Sequence, residues 1–179
     1  MHPLLTLLFS TACVLLPHVA FAQVHTRHVR SVEPYAQMLL DLGCNRSAFF
    51  HSLVNAIEES DVIVYVQTAN ALPAAVDGRL QFAVAAPGAR YLRITVRRDL
   101  PINRLIGLIG HELMHAVEIA RDRAVVNHAT LRALFTRIGH SNDGAAFDTR
   151  EAVGAGARVL AELSAWRSGT TRRSGRLRR

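Results

Sequence analysis

One segment of the chain, DLPINRLIGLIGHELMHAVEIARD at residues 99–122, constrains the fold more than any other. Drawn as a helix, it carries apolar side chains nearly all the way round. These are Leu105, Ile106, Leu108, Ile109, Leu113, Met114, Val117 and Ile119. A helix that is apolar on every side is buried. The segment therefore predicts a central helix over about residues 101–120, with Asp99 as its cap and Pro101 in its first turn.

The segments on either side of this helix predict further helices and three strands. Helical spacing marks residues 33–44 and 46–60 as one or two helices, and residues 128–139 and 148–166 as two more, with a loop at 140–146 between them. Strand patterns cover residues 61–69, 78–86 and 90–98, and a Pro-Gly turn joins the last two. This order predicts an α+β fold in which a small antiparallel sheet packs on helices.

The last of these strands, RYLRITVRR at residues 90–98, has an alternating pattern. Leu92, Ile94 and Val96 alternate with polar residues, which indicates one buried face and one solvated face. We therefore expect this strand to lie at the edge of the sheet.

The first 22 residues have the features of a secretory signal peptide. The apolar run LLTLLFSTACVLLPHVA is followed by Ala-Phe-Ala, which predicts cleavage after Ala22 and a secreted or periplasmic protein. An uncleaved anchor helix is the alternative. The mature chain would hold one cysteine, Cys44, so no disulfide can form within it, and we expect Cys44 to be a small buried apolar residue.

The formal net charge of +7 comes mainly from the end of the chain. Six arginines lie in RSGTTRRSGRLRR, residues 167–179, which has no acid and almost nothing apolar. The tail is predicted to be disordered and solvated, with weak contact to an anionic surface as an alternative. The rest of the chain is nearly neutral, which argues against a specific nucleic-acid-binding domain. Residues 23–166 are therefore expected to form the folded domain.

The central helix carries an HExxH motif made of His111, Glu112 and His115. Histidines four residues apart point along one stripe of a helix and can share a metal ion. Glu112 lies beside the stripe, where it can reach a metal-bound water without being a ligand. Two core histidines bonded to backbone carbonyls are the simpler alternative, but that alternative leaves a buried Glu112 unexplained.

The third ligand must come from elsewhere in the chain. The metzincin pattern continues with Gly and His, but Glu118 and Arg121 occupy those positions here. Three ligands on seven helical residues would span about 10 Å, so Glu118 is better interpreted as a support for a ligand than as a ligand.

Asp148 and Glu151, three apart on a later helix, are the best candidates for the third ligand. A capping box formed by the same pair is the alternative. His128 and His140 are further candidate ligands. Gly107 and Gly110 on one helix, with Gly154 and Gly156 on the other, would let the two helices approach closely.

The stretches IGHELMHAVEI, TRIG and AFDTREAVGAGARVLAEL resemble a group of uncharacterised secreted bacterial proteins with an HExxH helix, over roughly residues 90–165. Phe147, Asp148 and Thr149 match an aromatic, an acid and a threonine that open the later helix of that group. The match favours Asp148 over Glu151. More broadly the chain is similar to the zincin metallopeptidases, gluzincin-like or aspzincin-like. That resemblance implies a zincin-like fold in which an edge strand binds substrate beside the active-site helix, and residues 90–98 are the candidate strand.

These observations predict a zinc-dependent hydrolase acting on a peptide or protein substrate. His111, His115 and Asp148 (or Glu151) would hold Zn²⁺, and Glu112 would be the general base. Tyr91, His140 and the arginines are candidates for stabilising the oxyanion. A non-catalytic envelope-binding protein of zincin-like fold is the alternative.

Overall fold

The computed structural model describes residues 27–73, 76–140 and 147–176. The predicted signal peptide and most of the predicted loop at 140–146 lie outside these ranges. Within them, none of the helices combines the length and the apolar character needed to cross a bilayer.

Five helices and four strands make up the described part of the chain, and they confirm the α+β class. In chain order they are β1 (Val29–Arg30), α1 (Pro34–Arg46), α2 (Ala48–Glu58), β2 (Val62–Ala69), β3 (Gly78–Ala86), β4 (Ala89–Arg97), α3 (Ile102–Arg121), α4 (His128–Ile138) and α5 (Arg150–Arg176). Ser47 separates α1 from α2. Its backbone N–H donates to the carbonyl of Gly43, and its hydroxyl accepts from the backbone N–H of Phe50, which caps α2.

The sheet is mixed, so the prediction of an antiparallel sheet is wrong. Its strand order is β1-β2-β4-β3. The β3–β4 hairpin, with Gly88 at φ 79° in its turn, is antiparallel, whereas β1–β2 and β2–β4 are parallel. The parallel pairing arises because the chain leaves β2, passes beyond the position of β4 to form β3, and then turns back to lay β4 beside β2.

The predicted edge position of residues 90–98 is also wrong, because β4 lies between β2 and β3. Its alternating pattern has another cause. Leu92, Ile94 and Val96 face the helices, while Arg93 faces solvent on the uncovered side of the sheet. An alternation of apolar and polar residues indicates that one face of the sheet is covered, and it does not distinguish an inner strand from an edge strand.

Strand β3 is the edge strand beside α3. Its pairing with β4 shifts register between Phe82 and Val84, which leaves Ala83 as an extra residue. Such a bulge bends and twists the strand that carries it.

Helix α3 lies at the centre of the fold, as predicted. It packs against the sheet on one side and against α5 on the other, and most of its apolar residues from Leu105 to Ile119 are buried. The helix begins after Pro101, which serves as N-cap and provides no side-chain cap. The predicted cap by Asp99 is therefore wrong, since that residue lies two positions before the N-cap.

Arg90 of β4 closes the C-terminal end of α3. Its buried guanidinium donates to both carboxylate oxygens of Asp61, at 2.9 and 2.7 Å. It also donates to the carbonyls of Ile119, Asp122 and Val125, at 2.8–3.2 Å. The last carbonyls of a helix have no partner within the helix, and Arg90 provides one from the sheet.

Small residues bring α3 and α5 close together. An ideal Cβ at Gly110 would lie 2.8 Å from Cγ2 of Val159, and one at Gly156 would lie 3.3 Å from the carbonyl oxygen of Gly107. A Cβ at Gly154 would have no atom within 4 Å, so the prediction of a close approach is wrong for this residue alone.

Two smaller predictions concern Cys44 and the end of the chain. Cys44 is partly buried against the core, and burial raises the pKa of its thiol, so it is a poor nucleophile. Helix α5 continues to Arg176, which is beyond residue 167, where the predicted disordered tail begins. Arginine favours helix, and extending an existing helix costs less than starting one.

Candidate metal centre

Two turns of α3 present His111 and His115 side by side. The centroids of the two rings lie 4.9 Å apart, with the ring planes at 81°. His111 lies against α5, where an ideal Cβ on Gly156 would be 3.3 Å from the Cβ of His111. The predicted stripe of two histidines is thus present on this helix.

Asp148 approaches the two histidines from the segment just before α5. Two backbone hydrogen bonds hold this segment to His140: the His140 N–H donates to the Asp148 carbonyl at 2.8 Å, and the Asp148 N–H donates back at 3.0 Å. Oδ1 of Asp148 then lies 3.0 Å from Nε2 of His111 and 3.8 Å from Nε2 of His115. One ligand atom from each residue lies within 4.8 Å of the others, which is compact enough to surround one metal ion.

Glu151, the other candidate acid, lies elsewhere. Its carboxylate is 3.0 Å from the guanidinium of Arg121 at the surface, and its side chain is 61% exposed. The predicted capping box of Asp148 and Glu151 is not formed, because the hydroxyl of Thr149 accepts from the N–H of Ala152 and caps the helix. Since α5 begins only at Arg150, Asp148 and Glu151 do not share a helical face.

Oδ1 of Asp148 is a buried polar atom without a hydrogen-bond partner among the described residues. The Asp148 side chain as a whole is 48% exposed, so the solvent-accessible surface lies on atoms other than Oδ1. Interaction with His115 lowers the pKa of Asp148, burial opposes this, and charge on His111 lowers it further. A buried anionic oxygen without a hydrogen-bond partner costs free energy. A cation bound between this oxygen and the two imidazole nitrogens would offset that cost. The three residues therefore fit a divalent metal.

The second histidine is held in place by two neighbours. Nδ1 of His115 lies 2.8 Å from Oε2 of the buried Glu118, which leaves Nε2 to face Asp148. Phe135 of α4 packs edge-on against the ring, with 4.9 Å between centroids. Burial alone would lower the pKa of His115, but Asp148 and Glu118 raise it to about 9. The surrounding carboxylates thus favour positive charge at this position.

His111 has the opposite electrostatic balance. Burial lowers its pKa, and the neighbouring His115 lowers it further, against the smaller effects of Asp148 and Glu118. A neutral imidazole is the form that binds a metal ion.

Glu112 lies beside the two histidines, but it is not part of the ligand group, by which we mean His111, His115 and Asp148. Its side chain turns towards β3, where an ideal Cβ on Gly78 would lie 3.0 Å from its Oε1. Glu112 is 5% exposed. Burial raises its pKa to about 7, with His115 opposing the shift and Asp148 adding to it. Such a carboxyl group can both accept and release a proton near neutral pH.

No family model, curated protein or solved structure matches this chain. What the chain does must therefore be argued from the geometry of this site.

The remaining candidate residues do not add a ligand atom to the group formed by His111, His115 and Asp148. His128 packs against Phe82 of the edge strand, with ring centroids 6.1 Å apart. His140 is exposed and meets Asp148 through its backbone. Tyr91 alternates with the buried Leu92 and so faces away from α3.

The role of Thr149 was not predicted from the sequence. Thr149 is one of the three residues that match the group of secreted bacterial proteins, but no function was assigned to it. A threonine directly before a helical pattern is a favoured N-cap, and that signal was present in the sequence.

Proposed function

We propose that this protein is a zinc-dependent hydrolase that cleaves peptide bonds. His111, His115 and Asp148 hold the metal in this proposal, and Glu112 is the general base. The single observation that carries it is the buried Oδ1 of Asp148, which lacks a hydrogen-bond partner among the described residues and faces Nε2 of both histidines.

The donor set supports a catalytic metal rather than a structural one. Two imidazole nitrogens and one carboxylate oxygen are typical of catalytic zinc sites, which keep one position open for water. Structural zinc sites usually have four protein ligands. Zinc supplies the activation of that water and the polarisation of the substrate carbonyl.

The chain's own residues carry the proton transfers. Glu112 is buried next to His111 and His115, and it is not one of the three proposed metal ligands. It can take a proton from the attacking water and pass that proton to the departing amine. Burial favours this double role because it raises the pKa of the carboxyl group towards neutrality.

A peptide substrate is supported by the position of β3. This strand is an edge of the sheet, and its first residue, Gly78, lies against Glu112. An extended peptide can add to such an edge through backbone hydrogen bonds. The edge strand that the zincin resemblance implies is thus supplied by β3 in this proposal, and not by residues 90–98.

We also propose that the protein acts outside the cytoplasm. The support is the apolar run and the Ala-Phe-Ala sequence at residues 20–22.

The test combines metal analysis with a protease assay on the purified protein. We expect about one zinc per chain, lost in the His111→Ala variant. We also expect degradation of casein that 1,10-phenanthroline blocks and added zinc restores. Zinc without degradation would contradict the hydrolase and favour the metal-containing binding protein, and absence of zinc would contradict both.

A further inference from the structure

Thr149 connects the two segments that form the metal centre. Its Oγ1 accepts from the backbone N–H of Ala152 at 3.0 Å and donates to Oε1 of Glu118 at 2.5 Å. Thr149 is 3% exposed and Glu118 is 6% exposed. Next to Thr149 in the chain is Asp148, and one turn before Glu118 on α3 is His115.

The directions of these hydrogen bonds follow from the groups involved. A hydroxyl has one proton, and a backbone N–H can only donate, so the Thr149 proton goes to the carboxylate of Glu118. The other oxygen of Glu118, Oε2, lies 2.8 Å from Nδ1 of His115 and accepts the ring proton. In the neutral form of His115, which is the form that binds a metal ion, the ring proton is on Nδ1 and the lone pair is on Nε2, the nitrogen that faces Asp148.

We propose that Thr149 is a positioning residue for the metal centre. It orients Glu118, and through Glu118 it fixes the tautomer of His115 that can bind a metal. By capping α5 it also holds Asp148 at the start of the helix. This inference rests on the proposed metal site and is independent of whether the site hydrolyses peptides.

Single substitutions separate the hydroxyl from the shape of the side chain. Thr149→Val keeps the volume, leaves Oε1 of Glu118 without its donor and removes the cap. We expect zinc affinity to fall about 10–100-fold, as for other partners of metal ligands. Thr149→Ser retains the hydroxyl and should bind zinc nearly as tightly as the wild type.

Thr130 provides a matched control. Its side chain bonds the N-cap residue Asn127 of α4, and Thr130→Val therefore also removes a helix-capping hydroxyl, but away from the histidines. This variant should lose some thermal stability and retain full zinc affinity. A loss of zinc affinity equal to that of Thr149→Val would show that any lost helix cap has this effect, which would overturn the proposal.

A double-mutant cycle tests whether Thr149 acts through Glu118. Zinc affinity is measured by competition with a chromogenic chelator for the wild type, Glu118→Ala, Thr149→Val and the double variant, with circular dichroism to confirm folding. Glu118→Gln replaces the alanine variant if that one does not fold. We expect Thr149→Val to weaken binding several-fold less when Glu118 is already replaced, because residues that share one network are not additive.

The outcomes distinguish this inference from the proposed function. An equal effect of Thr149→Val in both backgrounds, or no effect in either, would overturn the positioning role alone. A wild type that binds zinc without cleaving casein would overturn the proposed hydrolase activity, and the double-mutant cycle would still test the role of Thr149. A wild type that binds no zinc would overturn both proposals.

Discussion

Nε2 of His111 lies 3.0 Å from Oδ1 of Asp148, although one residue is in the middle of α3 and the other precedes α5. The contact exists because the two helices approach closely at Gly107 and Gly156, and because Thr149 starts α5 one residue after Asp148. The histidine pair is a local feature of one helix, whereas the complete donor set is a product of tertiary packing.

The two candidate acids should differ sharply in their effect on metal binding. Asp148→Asn keeps the shape of the side chain and removes its charge, so zinc affinity should fall by more than the roughly 100-fold that loss of an outer partner costs. Glu151→Gln is the matched control. It breaks only the exposed contact with Arg121 and should leave affinity unchanged. Equilibrium competition for zinc measures both, and the reverse order of effects would remove Asp148 from the ligand set.

Glu112→Gln should separate metal binding from catalysis. The amide cannot accept the proton of the attacking water, so casein hydrolysis should fall by about 10²- to 10⁴-fold. Zinc content should stay at the wild-type level, because Glu112 is outside the ligand group. Glu59→Gln, at an exposed position just after α2, is the control and should cleave normally. Undiminished cleavage by Glu112→Gln would exclude the proposed general base.

Two glycine substitutions should change stability in opposite directions. Gly110→Ala places a methyl group 2.8 Å from the buried Val159 and should lower the free energy of unfolding by about 1–3 kcal/mol. Gly154→Ala meets open space on an exposed face of α5 and should raise that free energy by about 1 kcal/mol through helix propensity. Urea unfolding followed by circular dichroism measures both. Destabilisation by Gly154→Ala would contradict the described surroundings of that residue.

The pair of Asp61 and Arg90 should make stability depend on pH in the acid range. The hydrogen bonds from Arg90 lower the pKa of Asp61 below its ordinary value of 3.8, burial opposes this, and the charge of Arg90 adds to the lowering. A lowered pKa in the folded state stabilises the fold above pH 3.8, and this contribution is lost as the pH falls through the folded pKa. Asp61→Asn should therefore be much less stable than the wild type at pH 7.

The difference between wild type and Asp61→Asn should shrink as the pH falls below 3.8 and through the lowered pKa of folded Asp61, since protonated Asp61 resembles the amide. Asp99→Asn, at an exposed position before the N-cap of α3, is the matched control variant. Unfolding in urea at a series of pH values tests this, and a difference that stays constant with pH would argue against the ion pair.

Features set by short-range chemistry were predicted well from the sequence. Apolar spacing located α3 to within about one residue at each end, and the HExxH spacing placed His111 and His115 on one stripe. The distance along the helix from His111 to Glu118 also identified Glu118 as a support rather than a ligand, which agrees with its bond to His115.

Two features set by long-range packing could not be derived from the residue pattern. The pattern of β4 reports which face is covered, and nothing in it tells whether Gly78–Ala86 or Val62–Ala69 pairs on either side. The choice between Asp148 and Glu151 depended on where α5 begins. That position is decided by the hydroxyl of Thr149, whose partner Glu118 comes from another helix.

The bulge at Ala83 has a consequence for how this protein behaves in concentrated solution. An exposed sheet edge can recruit strands from other copies and start aggregation, and an interruption of the edge is one way in which proteins prevent this. Regular pairing along β3 runs only from Gly78 to Phe82 before the register shifts. That length is about 17 Å at the usual rise per residue. The bulge therefore limits the length of regular edge that a strand from another copy could extend, while five residues remain for the peptide that the proposed function places beside Glu112.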